Sequence, residues 1–185
     1  IHSGGGGRTG KVIEVLCSFR GFERFAPRYS LSISQKGRYD MPESPAQVPD
    51  SHAHILESKA LLHLALVLKD GTPQVSPVWF DIEGDLIRIN SARGRLKDKV
   101  MRARPAVAAA IVDPEDPFCW LEIRGTVVEI TEEGAEAHID ALAKKYLGTE
   151  TYQNRQPGQT RVLYKIRPEK VFTMAPPPAL SNETS

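Results

Sequence analysis

The sequence predicts a mainly β fold: six short antiparallel strands, closed or partly closed into a small barrel, with short helices between them. Three observations predict it. Apolar runs of strand length recur from residue 61 to residue 174, with Asp-Gly and Gly-Asp turn signals among them. Segments with helical period are few and short. The chain has 185 residues, of which 41% are hydrophobic, enough for one domain with a real core and not comfortably enough for two.

Taken in order, Asp50 or Ser51 can cap a short helix over 52–59, with Ile55 and Leu56 on its buried side. Residues 61–68 read LLHLALVL, a buried-strand pattern, and Asp70-Gly71 is a hairpin turn into a second strand over 74–82. Val75, Pro77 and Trp79 alternate there with Ser76, Val78 and Phe80. Pro77 offers no ladder donor, so this strand belongs at an edge or a bulge. Glu83-Gly84-Asp85 turns into a third strand over 86–90, completing a meander. The basic segment 93–104 holds a short helix that ends before Pro105.

Residues 106–112 (AVAAAIV) form the fourth strand and, after an Asp113–Pro117 turn, residues 119–130 form a fifth, interrupted at Gly125. Thr131 can cap the next helix, with Glu132 and Glu133 at its start and Lys144 and Lys145 at its end, as the helix dipole prefers. Ala135, Ile139, Leu142, Ala143, Tyr146 and Leu147 make its apolar face, and Gly148 ends it. A polar loop over 149–159 leads to the last strand, 161–174.

The formal net charge of +1 joins two unlike parts. Residues 1–40 hold seven basic side chains against three acidic, and half of the glycines; the remaining residues hold seventeen against twenty. Composition marks 1–49 as a leader and linker outside the fold, with a partner-contacting basic arm as the alternative. Met41 is the candidate start, 50–175 the folded domain and 176–185 a tail. An acidic domain argues against general nucleic-acid binding. No apolar run approaches the roughly 20 residues of a membrane span, and the leader has no continuous secretory h-region. A cytoplasmic location is expected. Two cysteines, Cys17 and Cys119, are too few for a disulfide framework, and no metal site is expected.

The candidate site is the stretch from Asn90 and Ser91 to Lys99. Residues 93–104 carry six cations (Arg93, Arg95, Lys97, Lys99, Arg102, Arg104) and one acid, Asp98. They lie where a strand gives way to a helix, so Arg forks, Lys point charges and backbone N–H groups can converge on a phosphate or carboxylate. Gly94 permits a close backbone approach. A solvated helix face is the alternative.

With these residues placed, the sequence resembles the flavin-reductase-like split β-barrel family related to pyridoxamine 5′-phosphate oxidase, in particular its deazaflavin (coenzyme F420) branch. The resemblance spans roughly 50–175. It rests on the order of Ala65-Leu66-Val67, Lys69-Asp70-Gly71-Thr72-Pro73-Gln74, Ser76-Pro77-Val78-Trp79-Phe80, Arg95-Leu96-Lys97 before Arg104-Pro105, Glu122-Ile123-Arg124-Gly125, and Ile166-Arg167-Pro168-Glu169-Lys170-Val171. It implies an FMN-binding-type split barrel, homodimeric, with a cofactor site at the subunit interface. Arg95 and Lys97 would bind the cofactor phosphate; Ser76, Pro77, Val78 and Trp79 would line the ring system. Asn90 and Ser91 would sit beside the ribityl-like chain, and Arg93, Lys99 and Arg102 would pair with the acidic tail of F420.

The implied activity is hydride transfer from F420 to an unsaturated or otherwise activated small substrate. An FMN-dependent reductase or oxidase, and a non-catalytic flavin, haem or apolar-ligand carrier, are the alternatives. The chain lacks the extended C-terminal segment of true pyridoxamine phosphate oxidases, which argues against that activity. No catalytic acid or base is singled out. His63 is expected to be a buried strand histidine, and His138 to be solvated. His52 and His54, at i and i+2, should point apart. Tyr152 and Arg155 in the long loop are candidates for a contact across the subunit boundary.

Overall fold

The computed structural model describes residues 44–174; the basic leader over 1–40, the start at Met41 and the tail over 176–185 lie outside them. A 3₁₀ turn at Asp50–His52 runs into helix α1 (Ala53–Glu57). It ends two residues earlier than the apolar pattern suggested, and neither Asp50 nor Ser51 caps it. Strands β1 (Leu62–Val67), β2 (Pro73–Val78), β3 (Phe80–Glu83) and β4 (Leu86–Ala92) follow. Helix α2 (Leu96–Ala103), strands β5 (Ala106–Val112) and β6 (Trp120–Thr131), helix α3 (Ala135–Leu147) and strand β7 (Arg161–Met174) complete the fold.

All seven strands lie in one antiparallel sheet of order β2-β1-β5-β6-β7-β4-β3. The expected count was six, because residues 74–82 read as one strand. That segment breaks at Trp79: β2 pairs with β1 at one edge of the sheet, while β3 pairs with β4 at the other. A single kinked segment therefore joins the two edges, and the sheet curls into a split barrel. Pro77 sits on edge strand β2, opposite His63, where its missing donor costs no ladder bond.

Leu62, Leu64, Leu66, Phe80, Ile89, Ile111, Leu121, Ile123 and Tyr164 fill the interior. At about 1.5–3 kcal/mol per fully buried large side chain, this is the main source of cohesion. The alternation places His63 on the outer face of β1 with Ala65 and Val67, so His63 is exposed rather than buried. The polypeptide before α1 also touches the barrel: Ala46 N–H donates to Pro168 O at 2.9 Å, and Val48 packs on the core.

Gly125 does not interrupt β6. The strand continues through a register shift there, and a Cβ at Gly125 would stand 2.3 Å from the Arg167 carbonyl oxygen. Thr131 belongs to β6 rather than capping α3. Its Oγ1 accepts the Glu133 N–H, and Gly134, at φ 71°, is the residue that starts the helix. Lys144, Lys145 and Gly148 end α3 as expected, whereas Leu147 is exposed and His138 takes a place on the buried face.

Candidate functional site

The kink at Trp79 builds one wall of a cavity of about 350 Å³, open to solvent. Breaking a strand frees backbone groups, and α3 supplies partners for them. Tyr146 Oη accepts the Phe80 N–H at 3.3 Å and donates to Ala60 O at 2.8 Å. Lys145 Nζ donates to Leu56 O and Phe80 O and lies 4.6 Å from the Phe80 ring centroid. Burial pushes the Tyr146 phenol up to about 12, so it stays a neutral donor. Trp79 stacks on Tyr146 (centroids 5.2 Å apart) and meets Tyr152 edge-on at 6.0 Å. The kink is thus held rigid by aromatic packing as well as hydrogen bonds.

The cavity lies between this wall, α3 and the start of α2. Its lining includes Pro77, Val78, Trp79, Asn90, Arg95 and Lys97, six of the residues singled out in the sequence. Arg161, Tyr152, Ile139, Leu142 and Leu61 join them. Three cations and no carboxylate line it. Burial, reinforced by repulsion from Arg95, lowers the Lys97 pKa, the signature of a cationic site with no anion to balance it.

Arg161 is only 4% exposed; its guanidinium carbon lies 4.6 Å from the Tyr152 ring centroid, and its Nη2 has no hydrogen-bond partner among the described residues. A buried guanidinium with an unused donor is costly unless an anion completes it.

Asn90 projects from β4. Its Nδ2 donates to Ala135 O at 2.8 Å and faces His138 Nδ1 at 3.3 Å, leaving Oδ1 buried and unpartnered. His138 is 5% exposed, not solvated, and its Nε2 meets Asp81 Oδ1 at 3.0 Å. Asp81 also receives both Nε and Nη2 of Arg88. Burial works to raise the Asp81 pKa, but the hydrogen bonds from His138 and Arg88 prevail and hold it below the ordinary carboxylate value. The sequence marks none of this, because residues 81, 88, 90 and 138 meet only when α3 lies across β3 and β4.

The loop carrying Arg95 is anchored by Asp98, which is buried. Asp98 Oδ2 accepts the Gly94 N–H at 2.8 Å, and Oδ1 accepts from Tyr164 Oη at 2.6 Å and Arg102 Nε at 2.8 Å. Burial opposes its ionisation, yet the donors from Tyr164, Gly94 and Arg102 keep its pKa lowered. Gly94 adopts φ 81°, a conformation glycine takes at little cost.

Not every cation of the basic segment reaches the cavity. Arg102 is committed to Asp98, and Arg93, 62% exposed, pairs with Glu132. Lys99 faces a separate groove between α2 and the β1–β2 turn. The buried Ser76 and Ser91 hydroxyls have no partner among the described residues, and neither residue lines the cavity. Arg155 pairs with Glu136 and Asp140 of its own chain, and Tyr152 lines the cavity of its own chain.

A cavity with an aromatic and apolar wall, a cationic end and unpartnered polar atoms fits a phosphate-bearing ring cofactor. The sequence family described as pyridoxamine 5′-phosphate oxidase matches residues 48–175, the whole of the barrel. The chain belongs to that family. Among solved structures it is similar to an F420 reductase, with 33% identity over 68% of this chain and 98% of that chain, at a TM-score of 0.60. A Listeria innocua protein assigned provisionally as a pyridoxamine 5′-phosphate oxidase is 25% identical over 67% of this chain and 95% of that one, with a TM-score of 0.53. A conserved hypothetical protein of Mycobacterium tuberculosis, 17% identical, covers 79% of this chain and 99% of its own at 0.57, and shares the fold. No match was found among curated proteins.

Membership of the pyridoxamine 5′-phosphate oxidase family accounts for the split barrel, a fold that binds flavin-type cofactors. Among the described residues, no helix is long and apolar enough to cross a membrane. The sequence order of family motifs located Pro77 to Trp79 and Arg95 to Lys97. It missed Arg161, whose place at the cavity follows from the pairing of Arg161 with Ala92 across β4 and β7. Ile139 and Leu142 were legible as apolar helix positions, but not as cavity wall.

Proposed function

We propose that the protein is an oxidoreductase that binds deazaflavin coenzyme F420 in this cavity and uses it on an unsaturated or otherwise activated small molecule. The observation that carries the reading is the set Arg95, Lys97 and Arg161 beside the Trp79 wall, with no lining carboxylate. The similarity to an F420 reductase supports the deazaflavin over FMN. Arg93, Lys99 and Arg102, which the sequence offered for the acidic tail, do not add weight, since the first and last are paired and Lys99 faces elsewhere.

When bound and reduced, the cofactor would supply a hydride, and solvent the accompanying proton. Arg95, Lys97 and Arg161 would hold its phosphate. Pro77, Val78 and Trp79 would flank its ring and exclude water, and Asn90 Oδ1 would accept a hydrogen bond from it.

The working unit on this reading is a homodimer. The outer face of β1, β2 and β5 presents Ala65, Val67, Val75, Ala108 and Val112 around the imidazole-bearing His63, with Val75 60% exposed, and Pro77, paired with His63, carries it to the cavity rim. A second copy on that face would cover the apolar surface and deepen a cavity whose volume is at the small end for a cofactor site.

Fluorescence titration of the full chain with F420 and FMN is the test. Micromolar or tighter F420 binding, with NADPH-independent oxidation of reduced F420 in the presence of enones or quinones, supports the reading. FMN binding without F420 binding would transfer it to the flavin, and binding without turnover on such a panel would make the protein a carrier. Replacing Arg95 and Lys97 together by Ala should remove charge-assisted contacts of about 1.5–3 kcal/mol each. Unchanged affinity in that variant would mean the cavity is not the cofactor site.

A further inference from the structure

Outside the cavity described above, three metal-capable side chains from separate segments converge. His54 projects from α1, Asp113 follows the end of β5, and Cys119 precedes β6. Their donor atoms all lie within 4.8 Å of one another, and His54 Nε2 is 2.8 Å from Asp113 Oδ2. Nothing in the sequence suggested this, because the spacing of 59 residues between His54 and Asp113 matches no ligand motif.

The cluster is held in shape by the backbone. Asp113 N–H donates to Cys119 O at 2.9 Å, and Cys119 N–H donates to Asp116 O at 3.0 Å, closing the Asp113–Cys119 loop. Asp113 Oδ1 accepts the Glu115 N–H at 2.9 Å, which fixes the carboxylate and leaves Oδ2 aimed at His54. Cys119 is a free, buried cysteine whose thiol has no hydrogen-bond partner among the described residues. His54 is exposed, so the cluster opens to solvent on the side of its imidazole.

We infer that His54, Asp113 and Cys119 form a binding site for a borderline-soft divalent cation of the Zn²⁺ type, with the fourth position left to solvent. A thiolate, an imidazole and a carboxylate are the donor set such ions select over Mg²⁺ or Ca²⁺. Tetrahedral Zn²⁺ with ligand distances of about 2.0–2.3 Å sets donor atoms roughly 3.3–3.6 Å apart. The His54–Asp113 pair would open by about half an ångström, and the cysteine separations would close by no more than about 1.3 Å. Rotation of the exposed His54 side chain can supply the changes that involve His54, and χ1 adjustment of Asp113 and Cys119 the one between them. A cysteine binds such an ion as the thiolate, so binding releases the thiol proton. Because the ligands join α1 to the β5–β6 loop, the ion would also tie α1 to the barrel.

Titration of the full chain with Co²⁺, read by absorbance, tests the assignment, with Zn²⁺ displacement to follow. The expected result is one equivalent bound with a near-ultraviolet thiolate charge-transfer band and intense tetrahedral bands in the visible, both abolished by Zn²⁺. Cys119→Ser should eliminate the charge-transfer band, and His54→Ala, at an exposed position that tolerates truncation, should weaken binding at least tenfold. His63→Ala, on the outer face of β1, should change neither. Absence of the thiolate band in the native chain overturns the site, as does a band that survives in Cys119→Ser and so belongs to Cys17. Equal affinity in His54→Ala and the native chain overturns it too.

Discussion

Tyr164→Phe isolates the bond that anchors the loop carrying Arg95. The ring is fully buried, so phenylalanine keeps its packing and removes only the hydroxyl that donates to Asp98 Oδ1 at 2.6 Å. A hydrogen bond to a charged group contributes about 1.5–3 kcal/mol. Arg102 still holds the same carboxylate oxygen, so the loss should fall within that range rather than above it. For a domain of this size it corresponds to a fall in melting temperature of roughly 5–15 °C. The pH dependence identifies the mechanism. Asp98 has a lowered pKa in the folded state, so its contribution is present above the unfolded value, near 3.8, and is lost as pH falls through the folded one. Without the tyrosine donor the folded pKa rises toward the unfolded value. The gap between native and variant melting temperatures should therefore be widest near neutral pH and narrow as pH drops toward 3. Calorimetry across that range reads both quantities. A gap that is absent, or constant with pH, would refute the argument, because the hydroxyl would then not be stabilising an ionised Asp98.

Three further outcomes follow from the same geometry. Arg161→Ala should weaken phosphate-bearing cofactor binding at least tenfold in a fluorescence titration while leaving the far-ultraviolet circular dichroism unchanged; full affinity would remove Arg161 from the site. Cofactor affinity should decline on the alkaline side before the ordinary lysine value of 10.5, because burial and Arg95 lower the Lys97 pKa and only the charged amine pairs with phosphate. Lys97→Arg, whose guanidinium stays charged, should flatten that decline in the same titration. Gly125→Ala forces a Cβ to within 2.3 Å of a backbone oxygen, and should cost about 1–3 kcal/mol or more by denaturant unfolding, since neither strand can yield without disturbing the β6–β7 ladder.

Local chemistry was legible wherever it is carried by neighbours in sequence. The Asp70-Gly71 hairpin, the end of α2 before Pro105, the edge position of Pro77 and the Gly148 stop all depend on one or two adjacent residues. The family motifs added Pro77 to Trp79 and the Arg95–Lys97 pair, which the fold brings to one cavity. The errors share a cause. His63 and His138 exchange their expected environments because burial depends on which face of an element meets the core, and an alternating strand or an amphipathic helix edge leaves that open. The strand over 74–82 read as continuous because nothing local forbids it; its break at Trp79 is imposed by curvature.

The sequence by itself determined a β-rich domain, its turns, its short helices and the cationic loop at the start of α2, since these follow from periodicity and from backbone preferences of single residues. Tertiary structure alone decided that β2 and β3 lie at opposite edges of one sheet, because closing a curled sheet is a property of all seven strands together. It also decided which cations serve the cavity. Pairing across β4 and β7 brings Arg161 beside Arg95 and Lys97, and Glu132 withdraws Arg93; such long-range partners have no signature along the chain, whereas Asp98 withdraws Arg102 at i,i+4 spacing within α2, a pairing the chain itself spells out.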